Sequence, residues 1–368
     1  MNRRTFIRSG AALPLAAAVS SLPGVAGAVS ANADKWRVFE VATRVEVLFP
    51  EGVTQVWLPL PLTENTDYQK SLGNSYVVDK GGASIVREDK SGAGIAVAQW
   101  PDAVASPTFT VVSRFATRDR AVDLAKSGGA PRADRAELQR YLAPTDLVPT
   151  DGIVRDTALE ITRGVRGDDV AKARAIYEWV VENTFRDPKT RGCGVGDIKV
   201  MLESRNLGGK CADLNALFVG LARSIGIPAR DVYGVRVAKS EYGYRSLGVG
   251  TDNVTRAQHC RAEFHSAKHG WVPVDPADVR KVVLEEKPNA QLPIDDEMVR
   301  KARKRLFGSW EMNWVAFNYA NDVALPKSTR SKIGFFMYPQ CDTAKGRLDS
   351  LDPDNFRYQM TARELHLG

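Results

Sequence analysis

The sequence has too few cysteines and too small a charge excess for several classes of protein. Four cysteines in 368 residues are far fewer than a disulfide-stabilised scaffold needs. The formal net charge is +7, but residues 1–28 contribute three arginines and no acid, which leaves +4 on the remaining 340 residues. That excess is too small to indicate a nucleic-acid partner. The hydrophobic and charged fractions, 43% and 26%, are those of a folded globular chain, whose length allows two or three domains.

Long apolar runs are also missing. The run over residues 11–19 is too short to cross about 30 Å of hydrocarbon, and no later segment has 18 consecutive apolar residues. A basic stretch precedes this run and small residues follow it at 26–28, an order typical of an export signal. The pair Arg3-Arg4 resembles a twin-arginine signal. We therefore expect residues 1–28 to be removed and the mature chain to be periplasmic or secreted, without stable membrane insertion.

Period-two hydrophobicity is the main pattern of residues 29–118. Phe39, Val41, Val45 and Val47 share one face of a strand, while charged residues lie on the other face. Several short strands of this kind are separated by turns rich in Gly, Asn and Asp. Such a series predicts a small β-sandwich domain, and nothing in it carries obvious chemistry.

The pattern changes after this region. Residues 119–150 contain glycine and proline breakers and predict a connector. Residues 151–285 begin with helical periodicity, with amphipathic helices predicted over 169–185 and 211–225, and then turn to three strands. Residues 286–368 form a C-terminal extension that we expect to pack on this core.

Cys211 follows Gly208-Gly209-Lys210 and opens the second of these helices. A thiol at a helix N-terminus faces unpaired backbone N–H groups and the positive end of the helix dipole, and both stabilise a thiolate. The same N–H groups can receive the oxyanion that forms when a thiolate attacks an amide. Cys211 is therefore a candidate nucleophile.

His259 and Asp275 lie on two strands joined by a short turn. If these strands form an antiparallel hairpin centred near residue 267, His259 is directly opposite Asp275. Directly opposed residues have Cβ atoms about 4.5–5.5 Å apart, close enough for a carboxylate to orient an imidazole. Together with Cys211, this pair supplies a nucleophile, a base and a group that orients the base.

Three linked motifs resemble those of bacterial transglutaminase-like proteins. They read GKCAD at residues 209–213, HCRAE at 259–263 and GWVPVDP at 270–276. The resemblance covers roughly residues 150–285 and implies an α+β, papain-like fold in which a helix-borne cysteine packs on an antiparallel sheet. It assigns Cys211 as the nucleophile, His259 as the general base and Asp275 as the residue that orients the base.

Two features depart from that family's pattern. Cys260 and Arg261 follow the histidine, where the family often has a small residue and then an aromatic one. A cation at Arg261 is expected to lower the pKa of His259. No side chain that could bind an oxyanion is obvious upstream of Cys211, and Asn206 is the polar candidate.

We expect an exported enzyme that forms a thioester at Cys211 from a peptide or protein amide in the cell envelope, with water as the acceptor. Transfer to an amine, a non-catalytic envelope binding protein and a redox-sensing thiol at Cys211 and Cys260 remain alternatives. No metal or organic cofactor is implied, because no zinc spacing or calcium loop is present. Cys193 and Cys260 are expected to be structural or disulfide-bonded. The sequence leaves the oligomeric state open.

Overall fold

The structure is a computed structural model that describes residues 36–101, 104–126 and 134–366. The export signal predicted at residues 1–28 lies outside the described residues and stays a prediction. Within the described ranges, no helix is both long enough and apolar enough to cross a membrane. The elements below all belong to one unit that begins at Arg37.

Nineteen strands and seven helices make up the described part of the chain. The strands are β1 (Arg37–Val47), β2 (Thr54–Pro59), β3 (Gln69–Val78), β4 (Gly82–Arg87), β5 (Gly94–Trp100), β6 (Thr108–Thr117), β7 (Arg120–Ala121), β8 (Phe185–Arg186), β9 (Gly208–Gly209), β10 (Ala229–Arg236), β11 (Gln258–Ser266), β12 (Gly270–Val274), β13 (Ser309–Trp310), β14 (Trp314–Asn318), β15 (Asn321–Val323), β16 (Ile333–Phe335), β17 (Gln340–Asp342), β18 (Arg347–Leu348) and β19 (Phe356–Leu365). The helices are α1 (Arg135–Arg140), α2 (Gly152–Ile161), α3 (Asp169–Asn183), α4 (Ile198–Ser204), α5 (Cys211–Ser224), α6 (Pro276–Glu285) and α7 (Glu297–Arg305).

Two antiparallel sheets form the predicted β-sandwich. Sheet A has the strand order β19-β1-β6-β3, and sheet B has the order β18-β17-β2-β5-β4. Val45 and Phe109 of sheet A pack against Val56 and Trp100 of sheet B in a dry apolar cluster. The alternation in β1 directs its apolar face inward, as predicted; on the other face Arg44 is exposed, whereas Glu40 is buried.

The sandwich is not confined to residues 29–118, which corrects the predicted domain boundary. Residues 286–368 do more than pack on the core, because they supply β17 and β18 to sheet B and β19 to sheet A. β19 pairs with β1 over its whole length, from Val38↔Leu365 to Val47↔Phe356. The C-terminal strands β19 and β17 pair with the free edges of β1 and β2. No local pattern in the sequence predicts this pairing.

The core sheet has the order β12-β11-β10-β14 and is antiparallel throughout. Helix α5 lies against β10 and β11, and every residue of α5 is buried. Val235 and Val315 of the core sheet pack against Phe39 and Phe115 of sheet A. The inner face of sheet A therefore covers the core sheet at one end and sheet B at the other. This arrangement confirms the α+β, papain-like fold class with a sandwich beside it.

The helices predicted in the core are confirmed. Helix α3 buries Ala173, Ile176, Tyr177, Val180 and Val181, which are the residues that the sequence places on its apolar face. Helix α5 begins at the predicted Cys211 and ends at Ser224, two residues before Gly226, which has a φ of +88°. A positive φ is accessible to glycine without strain, so Gly226 turns the chain into β10.

Candidate active site

Cys211 is held at the first turn of α5 by a network around Asp213. The Asp213 carboxylate accepts hydrogen bonds from the backbone N–H groups of Lys210 (2.9 Å), Val195 (3.0 Å) and Gly196 (2.9 Å). A Cβ atom on Gly209 would lie 2.5 Å from the Asp213 Cβ, so only glycine fits there. The GKCAD stretch thus satisfies backbone N–H groups at the N-terminus of α5 and positions Cys211 on its first turn.

Cys193, Cys260 and His259 surround the sulfur of Cys211, and the Cys193 thiol donates to the Gln258 carbonyl (3.3 Å). Cys193, Cys260 and His259 lower the pKa of Cys211 well below its usual range, although burial acts in the opposite direction. Burial and the neighbouring Cys211 raise the pKa of Cys260. All four cysteines are free thiols in the structure, so the predicted alternative of a Cys193–Cys260 disulfide is not seen.

His259 is fixed by Asp275. Its Nε2 atom lies 2.8 Å from Asp275 Oδ2, which leaves Nδ1 for the sulfur of Cys211. The other carboxylate oxygen of Asp275 accepts hydrogen bonds from the backbone N–H of Asp278 (3.0 Å) and from Asn215 Nδ2 (3.3 Å). Asp275 is completely buried and is also the N-cap of α6. One carboxylate therefore orients the imidazole and begins a helix.

The predicted hairpin register is wrong by two residues. The observed pairs run from Ala262↔Val274 to Ser266↔Gly270, so the hairpin is centred at residue 268 and His259 is not directly opposite Asp275. A shift of two residues keeps every side chain on its original face of the sheet. Asp275, just beyond the end of β12, can therefore still reach His259. The turn residue Gly270 has a φ of +69°, and this placed the turn one residue later than expected.

A second carboxylate and two guanidinium groups stand behind His259. Asp278 Oδ1 lies 3.4 Å from His259 Nε2 and 2.5 Å from Arg236 Nη2. Burial alone would raise the pKa of Asp278, but Arg236 and His259 hold it well below its usual range. Arg261 Nε lies 3.6 Å from Asp275 Oδ2, and its guanidinium stacks on the ring of Trp314.

The sequence predicted that a cation would lower the pKa of His259. This prediction is wrong, because the pKa is raised. Burial and the Arg236 guanidinium do oppose protonation, but Asp278 and Asp275 outweigh them and raise the pKa of His259 to about 10. The cation that acts on the imidazole is Arg236 rather than Arg261, whose charge is directed to Asp275. The lowered pKa of Cys211 and the raised pKa of His259 both favour a thiolate–imidazolium pair.

The structure brings three of the predicted site residues together and leaves the fourth outside. Cys211 and His259 line a common cleft of about 670 Å³, with Asp275 directly behind the imidazole. Asn206 is exposed and does not line this cleft; its Oδ1 accepts a hydrogen bond from the Gly208 backbone N–H (3.2 Å). Asn206 followed the pattern of an upstream polar residue, but it stabilises the turn before β9. The catalytic roles stay predictions.

Sequence reasoning missed Cys193, Arg236 and Asp278, which all contact the predicted residues. The Cys193 carbonyl accepts the hydrogen bond of the Ala212 N–H (2.9 Å), so its loop is attached to the first turn of α5. The Cys211 N–H itself donates to no residue in the described ranges and is available to an oxyanion. Asp278 lies three residues after Asp275, a spacing typical of an N-cap and the first helical turn, which could have indicated it.

His259, Asp275 and Asp278 also form a group whose potential ligand atoms lie within 4.8 Å of one another. Three such ligands are enough for a metal ion in principle. The guanidinium groups of Arg236 and Arg261 already neutralise the two carboxylates. The donor set is thus engaged in ion pairs and fits an imidazolium better than a metal ion.

Comparisons with known proteins match the chain to one family model, one relative and several solved structures. The family model of the transglutaminase-like superfamily matches residues 155–276. An uncharacterized protein of Haemophilus influenzae is 36% identical over 345 residues, which cover 89% of this chain and 92% of that protein. A solved structure of a candidate cysteine protease from Cytophaga hutchinsonii is 15% identical, with a TM-score of 0.49, and the match covers 89% of this chain and 98% of that one. The periplasmic domain of TgpA from Pseudomonas aeruginosa is 15% identical, with a TM-score of 0.33, and the match covers 72% and 92%.

Proposed function

Because the chain belongs to the transglutaminase-like superfamily, we propose that it is a cysteine hydrolase that cleaves a peptide or protein amide through a thioester at Cys211. The observation that carries this proposal is the geometry of the site: Cys211 begins α5 and shares a cleft with His259, whose Nε2 lies 2.8 Å from Asp275 Oδ2. The pKa of Cys211 is lowered by its thiol neighbours and His259, and the pKa of His259 is raised to about 10. A thiolate beside an imidazolium is the combination that amide cleavage by cysteine requires.

The reaction divides into two steps at this site. The Cys211 thiolate attacks the amide carbonyl, and the backbone N–H of Cys211 donates to the oxyanion. The His259 imidazolium gives its proton to the leaving amine, and a thioester remains on the sulfur. His259 then accepts a proton from water, which attacks the thioester and releases the carboxylic acid and the thiolate. Asp275 keeps Nδ1 of the imidazole directed at the reacting atoms throughout.

The lining of the cleft favours water over an amine as the acceptor. An amine donor such as a lysine side chain is protonated near neutral pH and arrives as a cation. The cleft presents arginine and lysine side chains, among them Lys210 next to the nucleophile and Arg256 near the base. These charges repel a cationic acceptor, whereas water needs no binding site of its own.

Alkylation of Cys211 tests this proposal. Purified protein is treated with iodoacetamide at pH 6, and the modified cysteines are identified by peptide mass mapping. We expect fast labelling confined to Cys211, slowed roughly a hundredfold in His259→Ala because an ordinary thiol is almost wholly protonated at that pH. Cys211→Ala removes the labelling. Slow or indiscriminate labelling of the fully reduced wild type would instead favour a non-catalytic binding protein.

We also propose that the enzyme acts outside the cytoplasm on a substrate of the cell envelope. The support is the sequence of residues 1–28, in which Arg3-Arg4 precedes an apolar run and a small-residue cleavage site. Cell fractionation of the wild type and of an Arg3→Lys/Arg4→Lys variant tests it. We expect the variant to be retained in the cytoplasm. Equal distribution of the two proteins would count against a twin-arginine signal.

A further inference from the structure

The cleft beside Cys211 is lined by charged side chains of one sign. No aspartate or glutamate appears among the described residues that line it. The net charge of the chain is small, so this concentration is local rather than a consequence of composition. Six basic residues line the cleft: Arg186, Arg191, Lys210, Arg236, Arg256 and Lys281.

Acidic residues behind the lining neutralise only part of this charge. Arg236 pairs with Asp278 (2.5 Å), and Arg191 pairs with Asp349 (2.6 Å). Glu285 forms ion pairs with both Arg186 and Lys281, so one negative charge is shared between two cations.

Two of the six bases have no acidic partner in the described part of the chain. Lys210 and Arg256 form no ion pair there. Burial and the nearby Arg186 lower the pKa of Lys281, as expected where cations crowd together. Lys210 and Arg256 thus add positive charge to the cleft without an ion-pair partner among the described residues.

The unpaired bases Lys210 and Arg256 line the same cleft as Cys211 and His259. Lys210 immediately precedes Cys211, and Arg256 lies three residues before His259. Arg186 comes from the strand that pairs with Gly209, next to Lys210. The elements that carry the nucleophile and the base therefore also carry cations. A cleft lined by one charge sign concentrates ligands of the opposite sign.

We propose that the cleft selects acidic peptides and that Lys210 and Arg256 hold a substrate carboxylate beside the amide that Cys211 attacks. This inference rests on the proposed function and names its substrate class. The lining of the cleft also includes apolar surface from Tyr338, Leu351 and Tyr358. A peptide, which carries a carboxylate together with apolar surface, fits such a combination better than a uniformly charged polyanion does.

Two alkylating agents of nearly equal size test this selection at Cys211. Iodoacetate carries a carboxylate and iodoacetamide is neutral, so the ratio of their labelling rates reports the local field independently of thiol reactivity. We expect the ratio to fall about three- to tenfold in a Lys210→Gln/Arg256→Gln variant. In the wild type it should also fall when the ionic strength is raised from about 0.05 M to about 0.5 M.

Matched variants separate local charge from net charge. Arg300→Gln/Lys304→Gln removes the same number of charges from exposed positions on α7 that do not line the cleft, and should leave the ratio unchanged. Lys210→Arg/Arg256→Lys keeps both charges and should retain the wild-type ratio. If the ratio is the same in the Lys210→Gln/Arg256→Gln variant as in the wild type while Cys211 labels quickly, the inference is overturned and the proposed function stands. If neither agent labels Cys211, both fail.

Paired synthetic peptides then test the substrate itself. Two peptide libraries that differ only by Glu or Gln beside the scissile amide are incubated with the protein, and kcat/KM is compared. We expect the wild type to prefer the glutamate library and the Lys210→Gln/Arg256→Gln variant to lose that preference. Equal cleavage of both libraries by the wild type would overturn the selection of acidic peptides without affecting amide hydrolysis.

Discussion

The sandwich and the core sheet bury side chains of opposite character. Between sheets A and B, the buried cluster is wholly apolar, from Val45 to Trp100 and Cys341. Strand β11 of the core sheet is also buried along its whole length, yet it carries two histidines, an arginine and a glutamate. Among the described residues, the strands of sheets A and B bury two charged residues outside this cluster, Glu40 and Asp342, whereas β11 alone buries these four titratable side chains.

The difference shows that the free-energy cost of burying charge is concentrated in the core sheet, where the reactive residues lie. Burying a charge is costly unless a partner neutralises it. In β11 such partners are present: His259 faces Asp275, Arg261 faces Asp275, and Glu263 pairs with both Arg120 and Arg230. Apolar burial in the sandwich stabilises the fold without such constraints. The predictions below test this division between a stabilising region and a reactive one.

Asp275→Asn should have the largest effect, and it should act on the reaction rather than on the fold. Asparagine can still cap α6 but favours the wrong tautomer of His259, so we expect amide hydrolysis to fall by about 10³- to 10⁴-fold. The free energy of unfolding should change by less than about 2 kcal/mol. Asp296→Asn is the matched control, since Asp296 caps α7 through the Met298 N–H (2.8 Å) away from the site. A similar loss of activity in both variants would refute the assigned role of Asp275.

Phe109→Ala should destabilise the fold and leave the reactivity of Cys211 unchanged. Phe109 is completely buried between the two sheets of the sandwich, and its removal leaves a large cavity. We expect the free energy of unfolding in urea to fall by about 3–5 kcal/mol. The rate of Cys211 labelling at pH 6, measured below the denaturation midpoint, should stay at the wild-type value. A changed labelling rate in the folded variant would mean that the two regions are coupled.

Cys193→Ala should weaken the thiolate without removing the nucleophile. Cys193 lowers the pKa of Cys211, so we expect the loss of its side chain to raise that pKa. The thiolate is then lost at a higher pH as the solution is acidified, and labelling at pH 6 should slow about tenfold. Cys341→Ala, which removes a buried free thiol from the sandwich, is the control and should leave the pH profile unchanged. Identical profiles for the two variants would exclude Cys193 from the site.

Arg44→Gln should have the smallest effect. Arg44 lies on the outer face of β1, where it pairs with Glu46 at 3.4 Å in solvent. An exposed ion pair of this kind contributes little, and we expect the free energy of unfolding to change by less than about 0.5 kcal/mol. Chemical denaturation at low and high salt measures it. A loss above about 2 kcal/mol would show that charge on the sandwich surface stabilises the fold as buried charge does.

Local patterns predicted the elements of both regions. The alternation in β1, the apolar face of α3 and the start of α5 at Cys211 each depend on residues close together in the chain, and the structure has all three. The hairpin after His259 was predicted on the correct face and two residues out of register. Register depends on which residues form the turn, and Gly270 adopts a positive φ that places the turn later.

Contacts between distant residues account for what could not be predicted. β19 pairs with β1 although more than 300 residues separate them. The periodicity of a strand does not indicate which other strand it pairs with. The cations of the cleft come from segments as far apart as Arg186 and Lys281. Cys193 approaches Cys211 because its loop bonds to the first turn of α5. In each case the contact between distant residues depends on tertiary packing.

The pairing of β1 with β19 has a consequence for the order of synthesis. Arg37 on β1 is hydrogen-bonded to Glu364 on β19, 327 residues later (2.8 Å). Phe356 and Tyr358 at the start of β19 line the cleft. A ribosome therefore releases the nucleophile, the base and its aspartate long before the strand that completes their surroundings. Until that strand arrives, the cleft lacks Phe356 and Tyr358, so the finished active site forms only after β19 has been made.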